Sequence, residues 1–388
     1  MKLGLIHEDE KLLIRRIKVK VNGKEFDTPI KVFELLSSKD SSPFNLLKNF
    51  TKENKGLVEF RLNITQDNLI KMDNDINLTS RFIYKIRKKL EDVDNNVILL
   101  IPIYKIKNQN ISKEEIEYLS DFLLNLLRSN IIDILSIPII KYRSKDIDLD
   151  FYLNNFVKLF LEHIFFYNKE KISKYFLGYI PKISHRRVTQ VIDIYLKYNI
   201  NNFVVEFKYS NPISYGPTLE KLIRIVLLME KEIEREGTII HGINVNKGLA
   251  KKSEEIVSAR DILSFCQGIT SFSFPFRRIP FKLIKPQINL SDEQTFRIFE
   301  PYDYGYHRCS KDDIEKLADD EKIEKVSNIK DTERAINTKR IYIESSIIRE
   351  KITENNVLKY LKSKNEIKDY LGRLEKFTNN VKKEYLKL

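Results

Sequence analysis

The chain has 388 residues, 42% of them apolar and 11% aromatic, and a formal charge of +13. That is enough apolar material for a large core, and it rules out disorder as the dominant state. Two cysteines, Cys266 and Cys309, exclude a disulfide framework and a cysteine-rich zinc site, and suit a reducing, cytoplasmic setting.

The opening MKLGLIHEDEK reaches charge too early for a secretory leader. No apolar run approaches the ~20 residues that a membrane span needs, so no membrane partner is expected. Next, KLLIRRIKVKVNGKEFDTP alternates apolar and polar residues around Asn22–Gly23. An Asn-Gly pair between alternating runs predicts a two-stranded hairpin with a tight turn, placed to cover the bottom of a barrel.

From there the periodicity switches back and forth between two and about 3.6, the pattern of βα units on a parallel sheet. Strands are predicted at Ile30–Leu36, Val58–Thr65, Val97–Tyr104, Ile132–Ile140, Tyr175–Pro181, Phe203–Tyr209, Thr238–Asn246 and Ile269–Phe274. Helices are predicted at Leu78–Leu90, Ser112–Ser129, Leu149–Tyr167, Arg186–Tyr198, Thr218–Arg235 and Ser253–Cys266, where apolar residues recur at three- and four-residue steps. Ser112 with Glu115 forms a capping box. The link between the first two strands, SSKDSSPFNLLKNFTKENKG, carries little helical period. Eight strands in this alternation predict an α/β fold, a parallel (β/α)8 TIM-type barrel. An open doubly wound sheet is the alternative, and no glycine-rich loop supports it. The barrel with its hairpin lid is assigned to residues 1–285. Residues 286–388 are read as a charged helical C-terminal region, with helices at Lys311–Val326, Asp331–Ile352 and Asn355–Leu388.

In such a barrel, chemistry sits at the C-terminal ends of the strands. Glu59, Arg61 and Asn63 alternate with apolar residues on the second strand, and Glu206 and Lys208 do so on the sixth. If the apolar set faces the helices, the charged set points into the barrel. It then forms either internal ion pairs, Glu59 with Arg61 and Glu206 with Lys208, or a polar binding cavity. Glu206 and Glu59 are the catalytic candidates, with Asp67 as a further carboxylate. The basic loops supply candidate nucleic-acid contacts: Arg61, Lys105, Lys141, Arg143, His185, Arg186, Arg187, Lys208, Asn244, Lys247, Arg277 and Arg278. His185 stands at a helix start, and His241 inside a strand is read as a satisfied core residue. His307 belongs to the aromatic loop segment YDYGYHRC. No metal site, cofactor motif, P-loop, GxSxG or serine–histidine pairing stands out.

The order of elements resembles the tRNA-guanine transglycosylases. Arg15–Pro29, RRIKVKVNGKEFDTP, is similar to that family's opening hairpin. TIIHGINVN (Thr238–Asn246) and GITSFSF (Gly268–Phe274) are laid out like two of its late barrel strands. The resemblance implies a barrel that binds tRNA or DNA and exchanges a guanine for a 7-deazaguanine through two aspartates, beside a zinc held by cysteines and a histidine. The position of the nucleophile reads Ser271, Phe272 and Ser273, and the zinc ligands are missing. The expected function is therefore a nucleic-acid-binding barrel, a non-catalytic transglycosylase-like paralogue or partner subunit, needing no cofactor. Association with a second copy or another subunit stays open. The alternatives are an active base-exchange enzyme, with Glu206 and Glu59 or Asp67 as its carboxylates, and an unrelated small-molecule barrel enzyme.

Overall fold

The computed structural model describes all residues except 37–44, 94, 108–109, 143–144, 147, 168–171, 233–236, 249–253, 276–295, 324–327 and 386–388. Among the described residues, eight strand positions close into a parallel barrel. The first is split around Val32 into Ile30–Lys31 and Phe33–Leu36. Leu57–Thr65 and Val97–Ile106 follow, and the fourth position is again split, into Ile134–Ser136 and Ile139–Tyr142. Phe176–Ile180, Phe203–Glu206, Ile240–Ile243 and Ser271–Phe272 complete the set. Closure is direct, because Ser271 pairs with Ile30 and Phe272 with Lys31 in parallel register. All eight predicted strands are found, and the barrel is the TIM type.

The hairpin forms as expected from Arg15–Val21 and Lys24–Asp27. Asn22 and Gly23 turn it with φ of 49° and 77°, the left-handed pair that a two-residue turn of this twist requires. A third strand, Lys2–Glu8, pairs with the hairpin, an addition that the alternation around Asn22–Gly23 does not predict. The turn is pinned at the N-terminal end of the barrel. Asp133, just before the fourth strand, accepts from Asn22 Nδ2 at 3.0 Å, Lys24 Nζ at 2.8 Å and the Ile98 amide at 2.9 Å.

The helix Ile76–Leu90 is preceded by a nine-residue helix, Gln66–Asn74, and Lys113–Arg128 starts at the predicted capping box. The segment beginning at Leu149 runs to Tyr167 through a π-helical stretch, Tyr152–Val157. Val188–Leu196 and Gly216–Glu232 match their predictions closely. The expected helix Ser253–Cys266 does not form in its described part. Ile256–Ser258 is a strand and Ile262–Gln267 a 3-10 helix, because Ile256–Ser258 pairs with Gly305–Cys309. That long-range pairing overrides a local helical spacing.

The C-terminal part is not purely helical. Phe296–Glu300 and Gly305–Cys309 form an antiparallel hairpin, so His307 lies on a strand rather than in a loop. Phe296 and Ile298 are buried, and the Asn337 side chain closes one edge by accepting from the Phe299 amide and donating to the Arg297 carbonyl. The helix Ile329–Thr353 then lies on the first barrel strand. Its Tyr342 stacks on Phe33 at 4.9 Å, and its Ser345 Oγ accepts from the Lys31 amide. Lys368–Tyr385 packs along Gly216–Glu232, the flank where the seventh unit offers only its short 3-10 helix.

Candidate functional site

The charges that alternate on the second strand do enter the barrel, where they meet residues from the opposite side. Glu59 has no exposed surface and Arg61 is 4% exposed. The Arg61 guanidinium donates to Glu59 through Nε, to Asn244 Oδ1 at 2.9 Å and to Ser273 Oγ at 3.0 Å. The other Glu59 oxygen lies 2.6 Å from His241 Nε2, and His241 Nδ1 lies 2.9 Å from Ser271 Oγ. An ionised carboxylate only accepts, so His241 Nε2 carries a proton. Burial pushes the Glu59 carboxyl up, but Arg61, His241 and Ser273 outweigh it and hold the group at about 2.

Glu59, His241 and Ser271 thus share the residue types of a hydrolytic triad, a serine–histidine pairing that the sequence does not reveal. Its arrangement argues against that chemistry. A nucleophilic serine must reach substrate, whereas all three side chains have no exposed surface. His241 is a satisfied core histidine, as its place in a strand suggests.

One layer nearer the mouth, Glu206 ends the sixth strand. It accepts from Asn244 Nδ2 at 3.0 and 3.1 Å and from the Lys208 amide at 2.7 Å. The Lys208 link runs through the backbone, so the expected side-chain pair is replaced by a turn. Burial raises the Glu206 carboxyl; Asn244, Arg61 and Lys141 oppose the rise without cancelling it. The backbone around it is unusual. Lys208, Tyr209 and Asn244 have φ of 49°, 65° and 56°, left-handed values that cost non-glycine residues about 1–3 kcal/mol each and gather at functional sites. The Tyr209 amide bonds to the Asn244 carbonyl at 3.1 Å, locking the sixth and seventh loops together.

Beside the first strand, Lys31 and Glu34 are both buried and lie 2.6 Å apart. Arg334 from the long helix approaches Glu34 at 2.8 Å. Burial lowers the Lys31 amine; it would raise Glu34, but Arg334 and Lys31 more than offset that. This three-charge cluster ties the helix to the barrel. Nothing in the sequence flags it, because Arg334 lies 300 residues from Glu34.

The rim is basic. Lys105 and Lys141 are register partners on neighbouring strands, both half-buried. Lys208 is exposed, and so is Lys182, a cation outside the predicted set whose Nζ reaches Ser210 Oγ. His185 and Arg186 are exposed on a 3-10 turn, while Arg187 bonds Asp150 and Gln190. Lys247 is half-buried with its amine 4.3 Å from the centroid of Tyr306, and burial lowers it despite nearby Glu333 and Asp261. Asp67 is paired with Lys107 at the surface, away from the Glu206 network. Arg143, Arg277 and Arg278 lie outside the described residues.

Among the described residues, no group of three or more His, Cys, Asp and Glu is arranged to hold a metal. Nor is any helix long and apolar enough to cross a membrane. Compared with known proteins, the chain matches no family model and no curated protein.

Proposed function

We propose that this protein binds nucleic acid across the C-terminal face of its barrel. The observation that carries the reading is an asymmetry of charge. The acids beneath the mouth are engaged, Glu59 by Arg61 and His241 and Glu206 by Asn244, while Lys105, Lys141, Lys182 and Lys208 ring the opening with His185 and Arg186 beside them. Phosphates are held by such cations and repelled by free carboxylates, and the chain's +13 excess adds to the attraction. Exposed Tyr209 at the sixth loop supplies an aromatic surface for a base.

Titration of labelled tRNA and of duplex DNA at rising salt tests this. Binding should weaken steeply, and Lys105→Ala with Lys141→Ala should lower both the affinity and the salt slope, the slope by about 1 for each phosphate that is no longer neutralised. Undetectable binding at low salt would sink the reading.

A second reading rests on Glu206. A buried carboxyl raised toward neutrality at a strand end suits proton transfer, as the base exchange of the resembled transglycosylases requires. Incorporation of labelled guanine into tRNA or DNA, abolished by Glu206→Gln, would support it; incorporation that survives the change would remove Glu206 from the role.

A further inference from the structure

The helix Ile76–Leu90 carries Arg81, Lys85, Arg87, Lys88 and Lys89 and no acidic residue. Its apolar side is spent on the barrel. Ile86 and Leu90 are buried, Phe82 lies against Phe122 of the next helix at 5.9 Å, and Thr79 Oγ1 meets Tyr118 OH at 2.9 Å. The opposite side is open, with Arg81, Lys85, Arg87 and Lys88 exposed and Tyr84 63% exposed among them. Among the described residues these four cations have no ion-pair partner. Cations in a last turn favour the helix dipole, which accounts for Arg87 and Lys88 but not for Arg81 and Lys85, one and two turns earlier. The neighbouring helix Lys113–Arg128 shows the ordinary alternative, with Glu117 and Asp121 outward beside His163.

We propose that this helix face is a docking track for the phosphate backbone of the nucleic acid, leading from the rim down the barrel flank. The inference rests on the nucleic-acid reading of the mouth and extends its footprint. The helix follows the second strand and returns the chain to the third, so its axis runs from the mouth toward the base over about 20 Å. At its lower end Arg87 borders a cleft of about 270 Å³ that Lys24 of the hairpin also lines. An anionic membrane is the poorer fit. A helix lying in a bilayer surface needs a free apolar face, and here that face is buried.

The test compares three variants of the full chain by anisotropy with labelled tRNA, labelled duplex DNA and phosphatidylserine vesicles. The first combines Arg81→Ala, Lys85→Ala, Arg87→Ala and Lys88→Ala. The second removes as many exposed cations elsewhere, through Lys359→Ala, Lys362→Ala, Lys376→Ala and Lys383→Ala. The third is the rim pair, Lys105→Ala with Lys141→Ala. The helix variant should bind nucleic acid about tenfold more weakly or worse at about 50 mM salt, with a salt slope smaller by about 2–4. The control should change less than about twofold, since charge far from the bound phosphates acts only through a screened field. Equal losses in both fourfold variants, or a loss confined to the rim pair, would overturn the track while leaving the mouth reading intact. Wild-type protein that binds neither nucleic acid overturns both. A helix-dependent loss seen with vesicles alone would assign the face to a membrane and end the proposal.

Discussion

Two sets of charges, one inside the barrel and one on its flank, are equally visible in the sequence and behave in opposite ways. Glu59, Arg61 and His241 lie within the strands and direct their polar atoms toward other side chains. Arg81, Lys85, Arg87 and Lys88 lie on a helix and face solvent without an ion-pair partner among the described residues. Inside, desolvation makes each charge depend on its neighbour, so the set is part of the scaffold. Outside, water screens each charge, so the set contributes little to folding and stays available to a polyanion. The chemical type of a residue does not decide between these roles; its burial does.

The comparison breaks most sharply at Glu59. Glu59→Gln keeps the shape but leaves Arg61 buried beside a neutral amide, and removing one member of a buried pair costs about 3–5 kcal/mol. Chemical denaturation at neutral pH should show that loss. The wild-type pH profile should carry the same signature. The folded carboxyl sits at about 2 against 4.5 for the free side chain, so Glu59 stabilises the fold in full above 4.5. That stabilisation, about 3 kcal/mol, is lost as the pH falls toward 2. A wild type whose stability is flat between pH 5 and 2, or a Glu59→Gln variant as acid-sensitive as the wild type, would contradict it.

Much of the fold is legible in the sequence because it is written in local period. Strand alternation locates all eight barrel strands, and Asn22–Gly23 locates the hairpin turn. What escapes such a reading is non-local. Ile256–Ser258 reads as part of a helix until Gly305–Cys309 lies against it, and Phe296–Glu300 reads as helical surroundings until Asn337 completes its edge. The candidate site divides in the same way. Glu59, Arg61 and Glu206 are visible as charges out of place on strands, whereas Ser271, Ser273 and Arg334 look ordinary in sequence. They gain a role only when closure of the barrel and the long helix bring them to a charge. The left-handed Lys208 and Tyr209 carry no glycine that would flag them.

Glu206 sharpens the contrast within the barrel itself. Its carboxyl is raised by burial, the reverse of Glu59. Between its unfolded value and its raised folded value, ionisation therefore costs the folded protein, and its contribution to stability declines as the pH rises through that window. Glu206→Gln removes the ionisation and keeps an oxygen that can accept from Asn244. At pH 8 the variant should be as stable as the wild type or more stable by about 1 kcal/mol, with the difference gone at pH 4. Destabilisation by Glu206→Gln at pH 8 comparable to that of Glu59→Gln would mean that the two carboxyls are equivalent structural anions.

The smallest effect belongs to the flank. Replacing Arg81, Lys85, Arg87 and Lys88 together by alanine removes four exposed charges, buries nothing and places the best helix former at four helical positions. Alanine also removes the repulsion between Arg81 and Lys85 and between Arg81 and Lys88, spaced four and seven residues apart along one face, worth a few tenths of a kcal/mol. Loss of the favourable dipole interaction at Arg87 and Lys88 runs the other way by a similar amount. The net change in unfolding free energy should stay within about 0.5 kcal/mol of zero. A loss of several kcal/mol would show that these side chains hold the fold together, and they could not then be a surface kept free for a partner.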